Sequence, residues 1–90
     1  MANLFQVNIT TAEEVIFEGK ALSLVVPAEL GFLGILANHA PLIANLKSGK
    51  ITIRDSKDKV REFNSGGDGF VEVLNNQVTL LLDKVLIPAP

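Results

Sequence analysis

The chain carries a single histidine, His39, and no cysteine. Imidazole is the one side chain that titrates near neutrality without perturbation, so His39 is the natural candidate for a general base. A triad would also need a nucleophile beside it. Ser23, Ser48, Ser56 and Ser65 are present, but none stands in the Gly-x-Ser-x-Gly setting that exposes a nucleophile on a sharp turn. A zinc site requires several nitrogen or sulfur ligands, and Asp55 with Asp58 is too small a set for a calcium cage. Nucleotide motifs fail residue by residue. Ser48-Gly-Lys-Ile51 is similar to the end of a phosphate-binding loop, yet Ile51 replaces the magnesium-binding Ser or Thr and Ala44 replaces the leading Gly. Gly67-Asp-Gly69 opens a dinucleotide fingerprint, but Glu72 takes the place of its third Gly and no helical pattern follows. No catalytic residue, cofactor-binding residue or metal ligand is assigned.

The setting of His39 is more informative than its chemistry. It lies in GFLGILANHAPL, from Gly31 to Leu42, and between Ala21 and Leu46 the only formal charge is Glu29. Three roles compete for such a histidine: a base, a buried core residue, or part of a docking loop. Asn38 and Pro41 beside it indicate a turn, in which imidazole bonds backbone carbonyls. Six of the 8 Lys and Arg side chains fall between Lys47 and Arg61. Asp55, Asp58 and Glu62 interrupt that cluster, which reads as a solvated hairpin or as an edge facing an acidic partner. Phosphate and nucleic acid are poor matches: the formal net charge is −2, and the five Phe are scattered with no Tyr or Trp.

At 90 residues the chain is expected to form one domain. Hydrophobic residues make up 48% of it before its 7 Gly are counted. A domain this small has little interior, so part of that apolar material is expected on the surface, as in a component of an assembly. The absence of cysteine makes an intracellular setting the simplest expectation. MANLFQVNIT lacks the basic and apolar regions of a signal peptide. No uncharged apolar run approaches the roughly 18 residues needed to cross a bilayer.

Phe5, Val7 and Ile9 alternate with polar residues, which predicts a half-buried strand. Val15 to Phe17 begins a second strand ending near Gly19, although a short helix over Thr11 to Phe17 is an alternative. Leu22 to Val26 predicts a third strand, stopped by Pro27. Short strands are expected around Ile51–Ile53, Val60–Phe63, Phe70–Val73 and Val78–Leu82. Turns are expected at Ser48-Gly49, Asp55–Asp58 and Asn75-Asn76 and a glycine-rich break at Ser65–Gly69, with Pro88 and Pro90 closing the chain. Short strands with turns every 8–12 residues or so argue for an all-β fold, an antiparallel β-sandwich or barrel.

Several stretches, in order, resemble the N-terminal domain of the epsilon subunit of F-type ATP synthases. Leu33-Gly-Ile-Leu-Ala-Asn-His-Ala-Pro-Leu42 is similar to the family loop in which Gly-Ile/Val-Leu precedes His-Ala-Pro-Leu. Leu46-Lys-Ser-Gly49 with Ile51-Thr-Ile53 resembles its L-K-P-G-x-I-x-I turn and strand, with Ser48 in place of Pro. Gly69-Phe-Val-Glu-Val73 through Asn76-Gln-Val-Thr-Leu-Leu-Leu-Asp83 resembles its closing segment, and Val7 to Glu13 with Phe17-Glu-Gly19 fits its opening strands. The resemblance runs over nearly the whole chain.

It implies a single antiparallel β-sandwich domain over residues 1–90 with no catalytic site, cofactor or metal of its own. The implied role is a non-catalytic rotor subunit of the central stalk. It would bind the gamma subunit and the c-subunit ring, without inserting into the membrane, at the cytoplasmic face of the bacterial plasma membrane or the equivalent organellar side. The implied partner-contact residues are Glu29, Phe32, Leu33, His39, Ala40, Pro41 and Leu42. Three departures stand out. The chain stops at Pro90, where the family's two-helix C-terminal domain would begin, so that domain is expected to be absent. Phe32 occupies a position where many relatives carry an acidic residue, leaving Glu29 as the nearest carboxylate. The glycine signature is displaced: Asp68-Gly69 stands for the usual Gly pair, or Gly66-Gly67 is the pair and Asp68-Gly69 an insertion, and a β-bulge would absorb the mismatch. Outside the family, the competing role is a free-standing β-sandwich adaptor that binds a soluble partner through an apolar loop or sheet edge.

Overall fold

A computed structural model describes residues 3–86, and Pro88 and Pro90 lie outside the described residues. The all-β expectation holds. Among the described residues seven strands follow one another: β1 (Phe5–Thr10), β2 (Val15–Ala28), β3 (Gly31–Leu36), β4 (Leu42–Leu46), β5 (Gly49–Asp55), β6 (Val60–Leu74) and β7 (Gln77–Leu86). No helix occurs among the described residues; at Thr11 the hydroxyl accepts the amides of Glu13 and Glu14 and turns the chain directly into β2. The pairings β1–β2, β2–β5, β5–β6, β6–β7 and β7–β1 close a ring, while β3 is added to β2 and β4 to β6. Inward positions alternate along each strand and meet in one core, with Val7, Leu24, Ile53, Val71 and Leu80 fully buried.

Four features differ from the sequence expectation, the fourth being that the strands expected at Val60–Phe63 and Phe70–Val73 are one strand of 15 residues through the glycine-rich segment. First, the second and third predicted strands are one strand of 14 residues that runs through Pro27. A strand residue points its N–H and C=O to the same side. The Pro27 carbonyl accepts the Lys47 amide at 2.9 Å, so the missing proline N–H also faces away from β3 and the β2–β3 ladder loses nothing. Second, Gly31 to Leu36 of the predicted loop is an edge strand paired to β2 from Ala28↔Gly31 to Ser23↔Leu36. Third, β1 and β7 run parallel, which is open to them because no hairpin joins them.

The glycine-rich segment is a bulge inside β6. Between the pairs Gly66↔Lys84 and Gly69↔Leu82, both Gly67 and Asp68 face Asp83. Gly67 has φ +78°, the left-handed region that glycine enters without strain. Ser48 staples this bulge to the β4–β5 turn, since its hydroxyl accepts the Gly67 amide at 2.9 Å and donates to the Gly67 carbonyl at 3.3 Å. Buried Ser65 adds a bond to the Gly49 carbonyl at 3.2 Å. The bulge lies where β6 changes neighbour on one edge, from β5 (Val60 to Ser65) to β4 (Gly69 to Val73).

The two tight hairpins follow their side chains. Asn75 and Asn76 both have positive φ, 51° and 61°, the pattern of a two-residue type I′ turn. At the β5–β6 turn, Asp55 Oδ1 accepts the Lys57 and Lys59 amides at 2.9 and 3.0 Å, and Oδ2 accepts Arg61 Nε at 3.1 Å. The Lys59 amide and the Arg61 guanidinium hold the Asp55 carboxyl below the usual carboxylate range, against an opposing effect of burial.

The Asp55 turn and the Gly67 bulge each have a measurable consequence for stability. Because the folded chain lowers the Asp55 pKa below an ordinary value of about 3.9, the unfolded chain takes up the proton first on acidification. The stabilisation is therefore complete above roughly pH 5 and is lost as pH falls through the depressed value. Asp55→Asn should lower the denaturant midpoint at neutral pH, with the gap to the parent protein closing on acidification; a pH series of urea titrations measures this. Gly67→Ala forces a side chain into the left-handed region and should destabilise the fold by about 1–3 kcal/mol, read from the same titrations.

Candidate functional site

No catalytic geometry forms around His39. It is half-buried, and its Nδ1–H donates to the Ala40 carbonyl at 2.7 Å. Among the described residues, no group of three or more His, Cys, Asp or Glu side chains is placed to hold a metal ion. Three of the six cations of the basic cluster are paired within the β5–β6 hairpin: Lys50 with Glu62 at 3.6 Å, Arg54 with Asp58 at 3.4 Å, and Arg61 with Asp55 at 3.1 Å. Of the two readings of that cluster, this pairing fits the solvated hairpin.

The feature that stands out is the open side of the fold between β3 and β4. Among the described residues, strand β3 pairs only with β2, and β4 pairs along β6 while touching β2 at the one position Ala28↔Leu46. The inward-facing residues of these two edges leave the core partly uncovered. Ile35 and Leu46 are buried, whereas Leu33, Leu42 and Ala44 are half-buried. Leu33, Leu42 and Ala44, together with Ala28, Glu29, Leu30 and Asn45, line an open hollow of about 320 Å³. A neighbouring hollow of about 400 Å³ is lined by Pro41, Leu42, Ile43, Glu72, Val73 and Leu74, so Leu42 contributes to both. Leu30 projects fully into solvent, and Phe32 and Ile43 are 71% and 72% exposed. Neither GFLGIL of β3 nor LIANL of β4 carries a charge, although edge strands of soluble proteins are ordinarily guarded by Lys, Pro or bulges.

The seven residues named from the sequence separate along this side. Glu29, Leu33 and Leu42 share the first hollow, and Pro41 joins Leu42 in the second. Phe32 lies on the outer face of β3 as the cross-strand partner of Pro27. His39 and Ala40 lie in the crossover between β3 and β4, at the opposite end of β3 from Glu29, and line neither hollow. Sequence reasoning did not single out Ala28, Leu30, Ile43 or Ala44. They were findable only as members of the uncharged span, because nothing local distinguishes a leucine at a turn from one in a core.

A family model described as "ATP synthase, Delta/Epsilon chain, beta-sandwich domain" matches residues 4–88. Among curated relatives, the ATP synthase epsilon chain of Dichelobacter nodosus is 40% identical over 84 residues, covering 93% of this chain and 58% of its own length. That of Leptospira borgpetersenii is 42% identical over 82 residues, covering 91% of this chain and 63% of its own. The chain thus spans about three fifths of the length of these relatives. Among solved structures, a chain of the Euglena gracilis mitochondrial ATP synthase (OSCP/F1/c-ring) superposes with TM-score 0.84 at 18% identity, covering 96% of this chain and 54% of that one. A chain of the Tetrahymena thermophila mitochondrial ATP synthase central stalk and c-ring gives 0.74 at 18% identity, covering 90% and 64%. At that identity the structural likeness speaks to the fold alone. Sequence match and fold agree over the same residues, and the chain belongs to the family of β-sandwich domains of ATP synthase delta/epsilon chains.

Proposed function

We propose that this chain is a non-catalytic part of the rotor of an F-type ATP synthase, standing in the central stalk between the gamma subunit and the c-subunit ring. The observation that carries the reading is the uncovered apolar side between β3 and β4, in a chain whose family is that of ATP synthase delta/epsilon chains. A permanent interface favours such a surface, because burying apolar area is favourable while stripping water from charges is costly. In this reading Leu33 and Leu42 receive an apolar side chain of the gamma subunit. Pro41, His39 and Ala40 extend that contact along the crossover, while Glu29 and Phe32 form the tip that faces the c-ring.

No helix among the described residues is long and apolar enough to cross a membrane. The proposed attachment is accordingly peripheral, through the c-ring, at the cytoplasmic face of a bacterial plasma membrane or the equivalent organellar side. The chain's part in the proposed assembly is mechanical. Torque arriving at the ring passes to the stalk, and the domain holds the two together.

The unguarded, uncharged edges of β3 and β4 favour one second reading, an adaptor that takes an extended soluble peptide alongside a free edge. Binding to isolated gamma subunit separates the two. Burial of one exposed leucine contributes roughly 1.5–3 kcal/mol, so Leu42→Asp should weaken a complex with gamma at least about tenfold. Leu30→Asp should act in the same direction with no loss of stability, since Leu30 is fully exposed. Asp58→Ala, on the opposite hairpin, should leave affinity unchanged. Absence of any complex with gamma, or equal effects of all three substitutions, would overturn the rotor reading.

A further inference from the structure

The crossover from Ala37 to Pro41 carries the chain from the β3 edge to the β4 edge, and three of the proposed contact residues lie on it. It has little structure of its own. Asn38 has φ +65°, and the His39 amide donates to the Leu36 carbonyl at 3.3 Å across the turn. Among the described residues, one hydrogen bond ties this segment to another part of the fold: the Asn38 amide donates to Asn76 Oδ1 at 2.7 Å. The same side chain donates from Nδ2 to the Leu4 carbonyl at 2.9 Å, and the Asn76 main-chain carbonyl accepts the Gln6 amide at 3.1 Å. One residue thus joins the crossover, the start of β1 and the β6–β7 hairpin.

We infer that Asn76 is a positioning residue for the docking side, a clasp that presents His39, Ala40 and Pro41 to the partner. The chemistry accounts for the residue type. Its backbone must take a positive φ, which Gly, Asn and Asp tolerate. Its side chain must offer one acceptor to an amide and one donor to a carbonyl, which of those three only Asn does. Gly keeps the turn and removes both bonds. Asp keeps the acceptor for Asn38 and loses the donor to Leu4.

The inference rests on the docking role proposed above, but its first test does not. Amide exchange of the full chain, followed by NMR, should show protection at Asn38 falling about tenfold in Asn76→Gly and staying near the parent value in Asn76→Asp. Urea titrations of both variants record any general loss of stability. Affinity for isolated gamma subunit should then fall about three- to tenfold for Asn76→Gly and recover in Asn76→Asp. That rescue is what a merely structural role would not produce, since both variants lose the bond to Leu4. Unchanged exchange at Asn38 in Asn76→Gly overturns the clasp whatever gamma does. Raised exchange with unchanged gamma affinity overturns its positioning role while Leu30→Asp still weakens binding. If Leu30→Asp is also silent, the docking reading itself has failed.

Discussion

One edge of β6 has to serve two strands. Val60 to Ser65 pair with β5 and Gly69 to Val73 pair with β4, and the chain passes from one neighbour to the other at the Gly67 bulge. A regular strand would keep one neighbour in register along its whole edge. The extra residue at Gly67-Asp68 kinks β6, and Ser48 ties the kink to the turn that links β4 to β5. Much of the architecture follows. Strand β5 reaches β2 and completes the ring, while β4 is left with β6 on one side and almost nothing on the other. The opening between β3 and β4 is therefore a consequence of how β6 divides its edge.

Charge is distributed around that opening in a way that suits it. Lys50, Arg54 and Arg61 of the β5–β6 hairpin are each held by a carboxylate of that hairpin, and Arg61 also lies over the Phe17 ring at 5.9 Å. The exposed pairs Lys50–Glu62 and Arg54–Asp58 contribute only roughly 0.2–1 kcal/mol each, so their main effect is on solubility, whereas Arg61 meets the buried carboxylate that anchors the turn. The β3–β4 side has the opposite character, with half-covered Leu33, Leu42 and Ala44 and a single carboxylate, Glu29, on the first hollow. One part of the surface is charged and solvated and another is apolar and only half covered.

Much of this was legible in order but not in extent. The alternation at Phe5, Val7 and Ile9, the Asn75-Asn76 turn and the Asp55–Asp58 turn are local signals, and each appears where the sequence places it. Pro27 misled as a stop because a proline is harmless when its nitrogen faces away from the ladder, and sequence does not record that direction. Gly31 to Leu36 looked like a loop because an unguarded edge strand with two glycines and no charge has no local strand signature. In the candidate site, the uncharged span from Ala21 to Leu46 was visible, but the meeting of Leu33 with Leu42 was not.

The sequence by itself determined the all-β class, the family, the Asp55–Asp58 and Asn75-Asn76 turns and the uncharged span from Ala21 to Leu46, because these depend on side-chain chemistry read over a few residues. The tertiary structure alone decided the parallel closure of β1 on β7, the neighbour exchange on β6 and the opening between β3 and β4. It also decided that Asn76, 38 positions away along the chain, would hold the amide of Asn38. These are long-range backbone pairings. Their partners are set by which edges remain free once the core has closed, and no local pattern encodes that.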